Sequence, residues 1–241
     1  MTPEQKKLYD YDYFRYRAGK EYNVYKRLRM GDMLAALCYA LDITYDELMK
    51  GYPDYFIDNR DGYFVDKSFS IHNQMGFLQK NKKRNPKHIL EIGGGRGEIA
   101  VACNYLKIPI TSIEPSLAAK EWYKKTALHF FNKYFTAPEP LNIDLENFND
   151  DLSKFDTIIM VESLEHIYDY EFDKFWASVK NSFKGYFIAT NWQSTFPIVI
   201  GDWDMGDIEH CRLIDESLYD RLCADATRTI YRHGSHLILE F

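Results

Sequence analysis

The chain has 241 residues, 46% of them hydrophobic, and a formal net charge of −6. That length supports one α/β domain with an appendage, or two small domains, and that apolar share excludes a disordered chain. The acidic balance lacks the basic excess of a nucleic-acid binder and leaves only a local patch for such a role. The four cysteines, Cys38, Cys103, Cys211 and Cys223, form no CxxC pair, so neither a zinc ribbon nor a disulfide framework is indicated. The opening MTPEQKKLYDYDY has no signal-peptide core, and no run approaches the ~18 apolar residues of a membrane span. A reduced, cytoplasmic, soluble protein is expected.

Residues 1–84 differ from the rest and are expected to form a mostly helical N-terminal extension, a lid or substrate region. They begin with a Tyr- and Arg/Lys-dense stretch, YDYDYFRYRAGKEYNVYKRLRM. A helix capped near Asp32 follows, then a short one with a Thr44–Glu47 capping box and Gly51 as its stop. These two faintly resemble a helix-turn-helix, but Asp42, Asp46 and Glu47 argue against DNA. Pro53, Gly62 and Gly76 break residues 52–75, and NKKRNPK (81–87) reads as a linker.

From residue 85 the pattern is regular. HILEI (88–92) reads as a buried parallel strand and 97–106 as a helix. IPITSIE (108–114) is a second strand, and 116–135 a long amphipathic helix opened by Ser116. PLNID (140–144) is a weaker third strand and FDTIIMV (155–161) a fourth. A helix over 169–183 places Phe172, Phe175, Trp176 and Val179 on one face, and GYFIAT (185–190) is the fifth strand. Asp215 caps a helix to about Cys223, and RTIYRHGSHLILEF forms two strands around a His233–Gly234 turn. The alternation implies an α/β fold with a parallel sheet covered on both faces, and the hairpin requires an antiparallel strand at its edge.

The first strand runs into EIGGGRGE, where Glu91, Gly93, Gly95 and Gly97 fit E-x-G-x-G-x-G. Glycines here permit a tight turn and close ligand approach. The dinucleotide pattern G-x-G-x-x-G, counted from Gly93, would put Glu98 beside a pyrophosphate, which favours a ligand without phosphates. Glu114 ends the second strand 21 residues beyond Gly93, near the ~20 expected for an acid that grips ribose hydroxyls.

On these residues, roughly 86–241 resembles the class I S-adenosylmethionine-dependent methyltransferases. The resemblance implies a Rossmann-like, seven-stranded, mostly parallel sheet ending in a reversed hairpin. It implies that Gly93, Gly95 and Gly97 lie under the methionine part of S-adenosylmethionine, with Glu91 opening the motif. Glu114 would then hold the ribose, and Asp144 in NIDLENF would contact the adenine.

VESLEHI (161–167) leaves the fourth strand at the carboxyl end, where ligands sit in such sheets. If Glu165 and His166 open a helix, Glu162, Glu165 and His166 converge. Three readings stand. In the first, Glu165 favours a helix N-terminus while His166 packs or hydrogen-bonds locally. His166, oriented by a carboxylate such as Glu165, is a general base for a substrate hydroxyl. Glu162, Glu165 and His166 bind a divalent metal, Mg²⁺, Mn²⁺, Fe²⁺ or Zn²⁺. E-x-x-E-H followed by His210 resembles the small-RNA 3′-terminal 2′-O-methyltransferases and the ubiquinone-pathway O-methyltransferases. That resemblance implies a metal held by Glu162, Glu165, His166 and His210 that engages substrate hydroxyls.

A metal suits a poorly nucleophilic alcohol, because it lowers the pKa of a coordinated oxygen. The favoured acceptor is therefore a small hydroxylated molecule with adjacent hydroxyls, a sugar or secondary metabolite; EIGGG also resembles sugar O-methyltransferases. Trp192, Gln193 and FPIVIGDW (196–203) are candidates to line its pocket. The Arg/Tyr-rich beginning keeps RNA 2′-O-methylation as an alternative. A non-catalytic cofactor-binding partner subunit and a nicotinamide oxidoreductase are the others. Oligomeric state is not legible.

Overall fold

The computed structural model describes residues 86–95, 97–105, 107–117, 119–120, 123–124, 139–161, 163–190, 212–233 and 236–241. The expected N-terminal helices, most of the 116–135 helix, Glu162, Trp192, Gln193, the 196–203 segment and His210 lie outside them.

Six strands form one sheet. They are β1 (Ile89–Ile92), β2 (Ile110–Ile113), β3 (Thr157–Val161), β4 (Tyr186–Thr190), β5 (Arg228–His233) and β6 (His236–Glu240). Three helices join them: α1 (Glu98–Tyr105), α2 (Asp169–Ser182) and α3 (Glu216–Asp225). The sheet order is β2-β1-β3-β4-β6-β5. The first four strands pair in parallel, in unbroken register from Ile89↔Ile110 to Val161↔Thr190. Every residue of β1 (ILEI) and β3 (TIIMV) is buried. Such continuous apolar strands suit a parallel sheet covered on both faces.

One feature differs from the sequence reading. The weak strand at 140–144 is reduced to a single parallel bridge, Ile113↔Leu141. Leu141 N–H donates to the Ser112 carbonyl, and Glu114 N–H donates to the Leu141 carbonyl. The backbone then folds back, since Ile143 N–H also donates to Leu141, and Pro140 has no N–H to extend the ladder on the other side. The described residues therefore hold six strands and this bridge rather than seven strands. The terminal hairpin is as expected: β5 is the edge strand and pairs antiparallel with β6, which lies between β4 and β5 and is antiparallel to both. A register shift between Thr229 and Tyr231 and the charged Arg228 and Arg232 keep that edge from pairing further.

On one face, α2 buries Phe172, Phe175, Trp176 and Val179, the stripe its 3.6-residue period requires. Trp176 stacks on Phe172 at 5.5 Å, meets Phe187 and Phe241 edge-on, and donates its indole N–H to Asp225 at 2.8 Å. Leu218, Tyr219 and Leu222 of α3 join the same core. A smaller cluster of Ala100, Ala119 and Tyr123 forms a second apolar contact.

Helix α3 begins as the sequence predicts. The Asp215 carboxylate accepts from Leu218 N–H at 2.9 Å and from the Ser217 hydroxyl at 2.8 Å. These bonds hold its carboxyl below the usual range. A depressed folded pKa adds stability that is complete above the unfolded value of about 3.9 and is lost as pH falls through the folded value. Asp215→Ala is therefore expected to cost about 1 kcal/mol at neutral pH. Urea unfolding of both proteins should show that gap narrowing from about pH 4 downward. A gap unchanged to pH 2.5 would place the cost elsewhere than in the carboxylate charge.

Candidate functional site

The chain runs from β1 outward to β2, then returns to place β3 on the other side of β1. That reversal opens a crevice beyond the carboxyl ends of β1 and β3, the usual ligand position in an open α/β sheet. Three segments meet there: the 93–97 loop after β1, Glu114 after β2, and Ser163–His166 after β3.

The loop is held in a left-handed conformation at three points, with φ of +75° at Gly93, +54° at Gly95 and +79° at Gly97. Such angles are open to glycine and costly for other residues. Its neighbours are this chain's own side chains. A Cβ on Gly93 would lie 2.4 Å from Ser163 Cβ, and one on Gly97 would lie 2.3 Å from the Tyr123 ring. A Cβ on Gly94 would lie 2.0 Å from the Tyr123 hydroxyl and 2.2 Å from Ser112 Oγ. These glycines let the loop close against the protein as well as against a ligand. The sequence motif omitted Gly94, Tyr123, Ser112 and Ser163. Only the periodic Ala119/Tyr123 pair hinted at Tyr123, and nothing local marked Ser163.

Glu114 is wholly buried. One carboxylate oxygen accepts from Gly95 N–H at 2.7 Å and the other from Ser116 N–H at 2.9 Å. The Asn142 amide donates to the Ser116 carbonyl at 2.6 Å and to the Glu114 carbonyl at 3.3 Å. One acid thus ties the glycine loop to the end of β2.

The loop's N–H groups are used internally. Gly93 and Gly94 donate to Ile113, Gly95 donates to Glu114, and Gly97 donates to Gly94. A phosphate cradle needs such donors turned toward the ligand. Here they are committed, which opposes the dinucleotide reading and agrees with a ligand lacking phosphates.

Glu91 sits within β1, buried, beneath the loop and beside Gly94. Burial, reinforced by this carboxylate, pushes the Cys103 thiol far up, so Cys103 is a packed thiol and not a nucleophile. Asp144 is half-buried and precedes a 3₁₀ turn, Leu145–Asn147, to which its side chain gives no capping bond. The simple cap role is therefore absent there.

VESLEHI does not open the long helix. Leu164–His166 form a separate 3₁₀ turn, and α2 starts only at Asp169. With three residues per turn, neighbours on a 3₁₀ helix project about 120° apart, so the α-helical spacing argument for convergence does not hold. Ser163 is the hinge: its hydroxyl donates to the Ile92 carbonyl at 2.9 Å, and its carbonyl accepts from His166 N–H. This joins the turn to the mouth of β1. Glu165 is buried and His166 half-buried. Among the described residues no three His, Cys, Asp or Glu side chains gather as a metal site; Glu162 and His210 lie outside them. No helix among the described residues is long and apolar enough to cross a membrane.

A family model described as a methyltransferase domain matches residues 70–227, about two thirds of the chain. No curated protein is significantly similar in sequence. Solved structures that resemble the chain include magnesium protoporphyrin IX methyltransferase from Synechocystis PCC 6803 with bound S-adenosylhomocysteine. It is 16% identical, covers 81% of this chain and 95% of its own, and has a TM-score of 0.48. A protein from Pyrococcus horikoshii OT3 is 14% identical, with coverage of 80% and 98% and a TM-score of 0.48. Geranyl diphosphate C-methyltransferase from Streptomyces coelicolor A3(2) is 12% identical, with coverage of 69% and 62% and a TM-score of 0.45.

Proposed function

This chain belongs to the methyltransferase-domain family and is a class I S-adenosylmethionine-dependent methyltransferase, and on that premise we propose that it methylates a hydroxyl of a small molecule with divalent-metal assistance. The observation that carries the reading is the Ser163–His166 turn, bonded to the mouth of β1 and holding a buried carboxylate beside a half-buried imidazole.

The cofactor side is consistent with S-adenosylmethionine. Glu114 stands at the end of β2, where an acid would meet the ribose, and its bonds to Gly95 and Ser116 fix the loop beside it. Glu91, Glu114 and Glu165 are all buried around this end of the sheet. An acidic frame suits a cofactor that is cationic at sulfur and at its amino group, and disfavours phosphates.

In the transfer, the acceptor oxygen attacks the methyl carbon in line with the carbon–sulfur bond. The O–C bond forms as the C–S bond breaks, and sulfur keeps the electron pair and leaves as a neutral thioether. The acceptor proton must go to a base, and His166 is the residue of this turn suited to take it at neutral pH. Glu165 orients the acceptor end. A carboxylate and an imidazole are also a fitting pair of donors for Mg²⁺, Mn²⁺, Fe²⁺ or Zn²⁺, with Glu162 and His210 as the remaining candidates. Such an ion, when bound, would lower the pKa of an acceptor hydroxyl.

Calorimetric titration of Mn²⁺ and Mg²⁺ into protein saturated with S-adenosylhomocysteine tests the reading. Saturable binding is expected in wild type, with affinity at least tenfold lower in Glu165→Ala. Transfer of labelled methyl groups should then favour vicinal diols and catechols over isolated alcohols. If wild type binds no metal, metal assistance is wrong and His166 acts, if at all, as a base alone. If thiol or carbon acceptors are methylated and hydroxyls are not, the acceptor class is wrong.

A further inference from the structure

Arg212 is almost completely buried, and the mechanism above gives it no role. Five of its contacts fall on one stretch of chain. Its backbone N–H donates to the Glu165 carbonyl at 3.2 Å. Its Nε donates to the Ile167 carbonyl at 3.1 Å, and Nη2 to the Tyr168 carbonyl at 3.2 Å. Nη2 also lies 2.9 Å from Asp169 Oδ1. The guanidinium carbon stands 4.4 Å from the centre of the Phe172 ring.

These partners, Glu165, Ile167, Tyr168, Asp169 and Phe172, lie between the 3₁₀ turn and the first turn of α2. The junction changes from three to 3.6 residues per turn; the Tyr168 carbonyl already accepts from Phe172 N–H at 3.0 Å, and the guanidinium adds bonds to it and to Ile167. A planar fork of fixed N–H groups can take two successive carbonyls at once, while its face lies on an aromatic ring. A lysine ammonium has neither property. Burial of a cation is costly unless it is fully bonded, so a position like this one is filled for what it fixes.

We propose that Arg212 is a positioning residue that sets the direction of the Glu165 and His166 side chains, by clamping the turn that bears them and fixing its junction with α2. This rests on the reading that the turn serves the acceptor. Its effect is therefore specific to one side of the site. The contacts named above lie on the acceptor side, so the cofactor side should be spared.

The test uses Arg212→Met and Arg212→Lys in the full chain. The readouts are S-adenosylhomocysteine affinity, the His166 imidazole resonances in ¹⁵N-histidine-labelled protein assigned with His166→Asn, and Mn²⁺ affinity. In Arg212→Met, cofactor affinity should stay within about threefold. The His166 resonances should shift or split and its titration midpoint should move. Mn²⁺ affinity in the S-adenosylhomocysteine complex should fall at least tenfold. Arg212→Lys should give intermediate values, and it carries the test if Arg212→Met does not fold. Unchanged His166 resonances and midpoint in a folded variant would overturn the proposal, as would an equal loss on the cofactor side. A wild type that binds no Mn²⁺ would remove the metal reading, and the His166 resonances would still decide the role of Arg212.

Discussion

Glu114→Gln is expected to weaken S-adenosylhomocysteine binding by at least ~100-fold and to lower the unfolding free energy by about 2–4 kcal/mol. The carboxylate accepts N–H bonds from Gly95 and Ser116 on its two oxygens. An amide of the same shape keeps one acceptor and turns a donor toward the other N–H. That N–H is then buried without a partner, which costs about 1–3 kcal/mol, and a charge-assisted bond of similar worth is lost. The loop would lose its tie to β2 and the cofactor would lose its ribose acceptor together. Calorimetry with S-adenosylhomocysteine and urea unfolding read the two effects separately. An affinity within threefold of wild type would show that the ribose is held elsewhere. An unchanged unfolding midpoint would show that the loop does not depend on this acid.

Gly97→Ala is expected to cost about 2–5 kcal/mol, in two separable parts. The first is the φ of +79°, worth about 1–2 kcal/mol for an L-residue. The second is collision, since the new Cβ would lie 2.3, 2.4 and 2.6 Å from three atoms of the Tyr123 ring. Tyr123 cannot easily yield, being buried with its hydroxyl 2.6 Å from Ser112 Oγ. Removing the ring by Tyr123→Ala should therefore leave Gly97→Ala costing only the backbone part. The double-mutant cycle should give a coupling of about 1–3 kcal/mol. Strict additivity would mean that the loop relaxes away from the ring and that the contact imposes no constraint.

The sequence revealed what periodicity and end signals encode. β1 and β3 were legible as unbroken apolar runs, α2 as a buried stripe, and α3 from Asp215. Glu114 was legible because the interval from the first glycine to the acid is fixed by one helix and one strand. What stayed hidden depended on long-range contact. The pairing of Ser163 with Ile92 spans 71 residues, and no local pattern announces it. Arg212 drew no reading from the sequence, since nothing near it there shows its contacts with five residues from 165 to 172. The Leu164–His166 turn was read as helix because Glu165 and His166 suit a helix start. The break lies at Ile167–Tyr168, where no glycine or proline marks it. The strand at 140–144 was overestimated because its apolar alternation said nothing of the backbone turning back at Ile143.

The interior position of β6 has a consequence for how the domain is built. β5 emerges before β6 in the chain, yet it has no neighbour in the sheet until β6 has paired with β4, across a sequence distance of 54 residues between Tyr186 and Glu240. Loop closure of that kind is slow and comes late in folding. During that interval β4 presents one edge, with its backbone groups open to other chains. The segment His236–Glu240 thus works as an internal stopper, and a chain lacking it would expose β4 and strand β5 together. Such a chain is vulnerable to association through β4, whatever the state of the glycine loop at the other end of the sheet order.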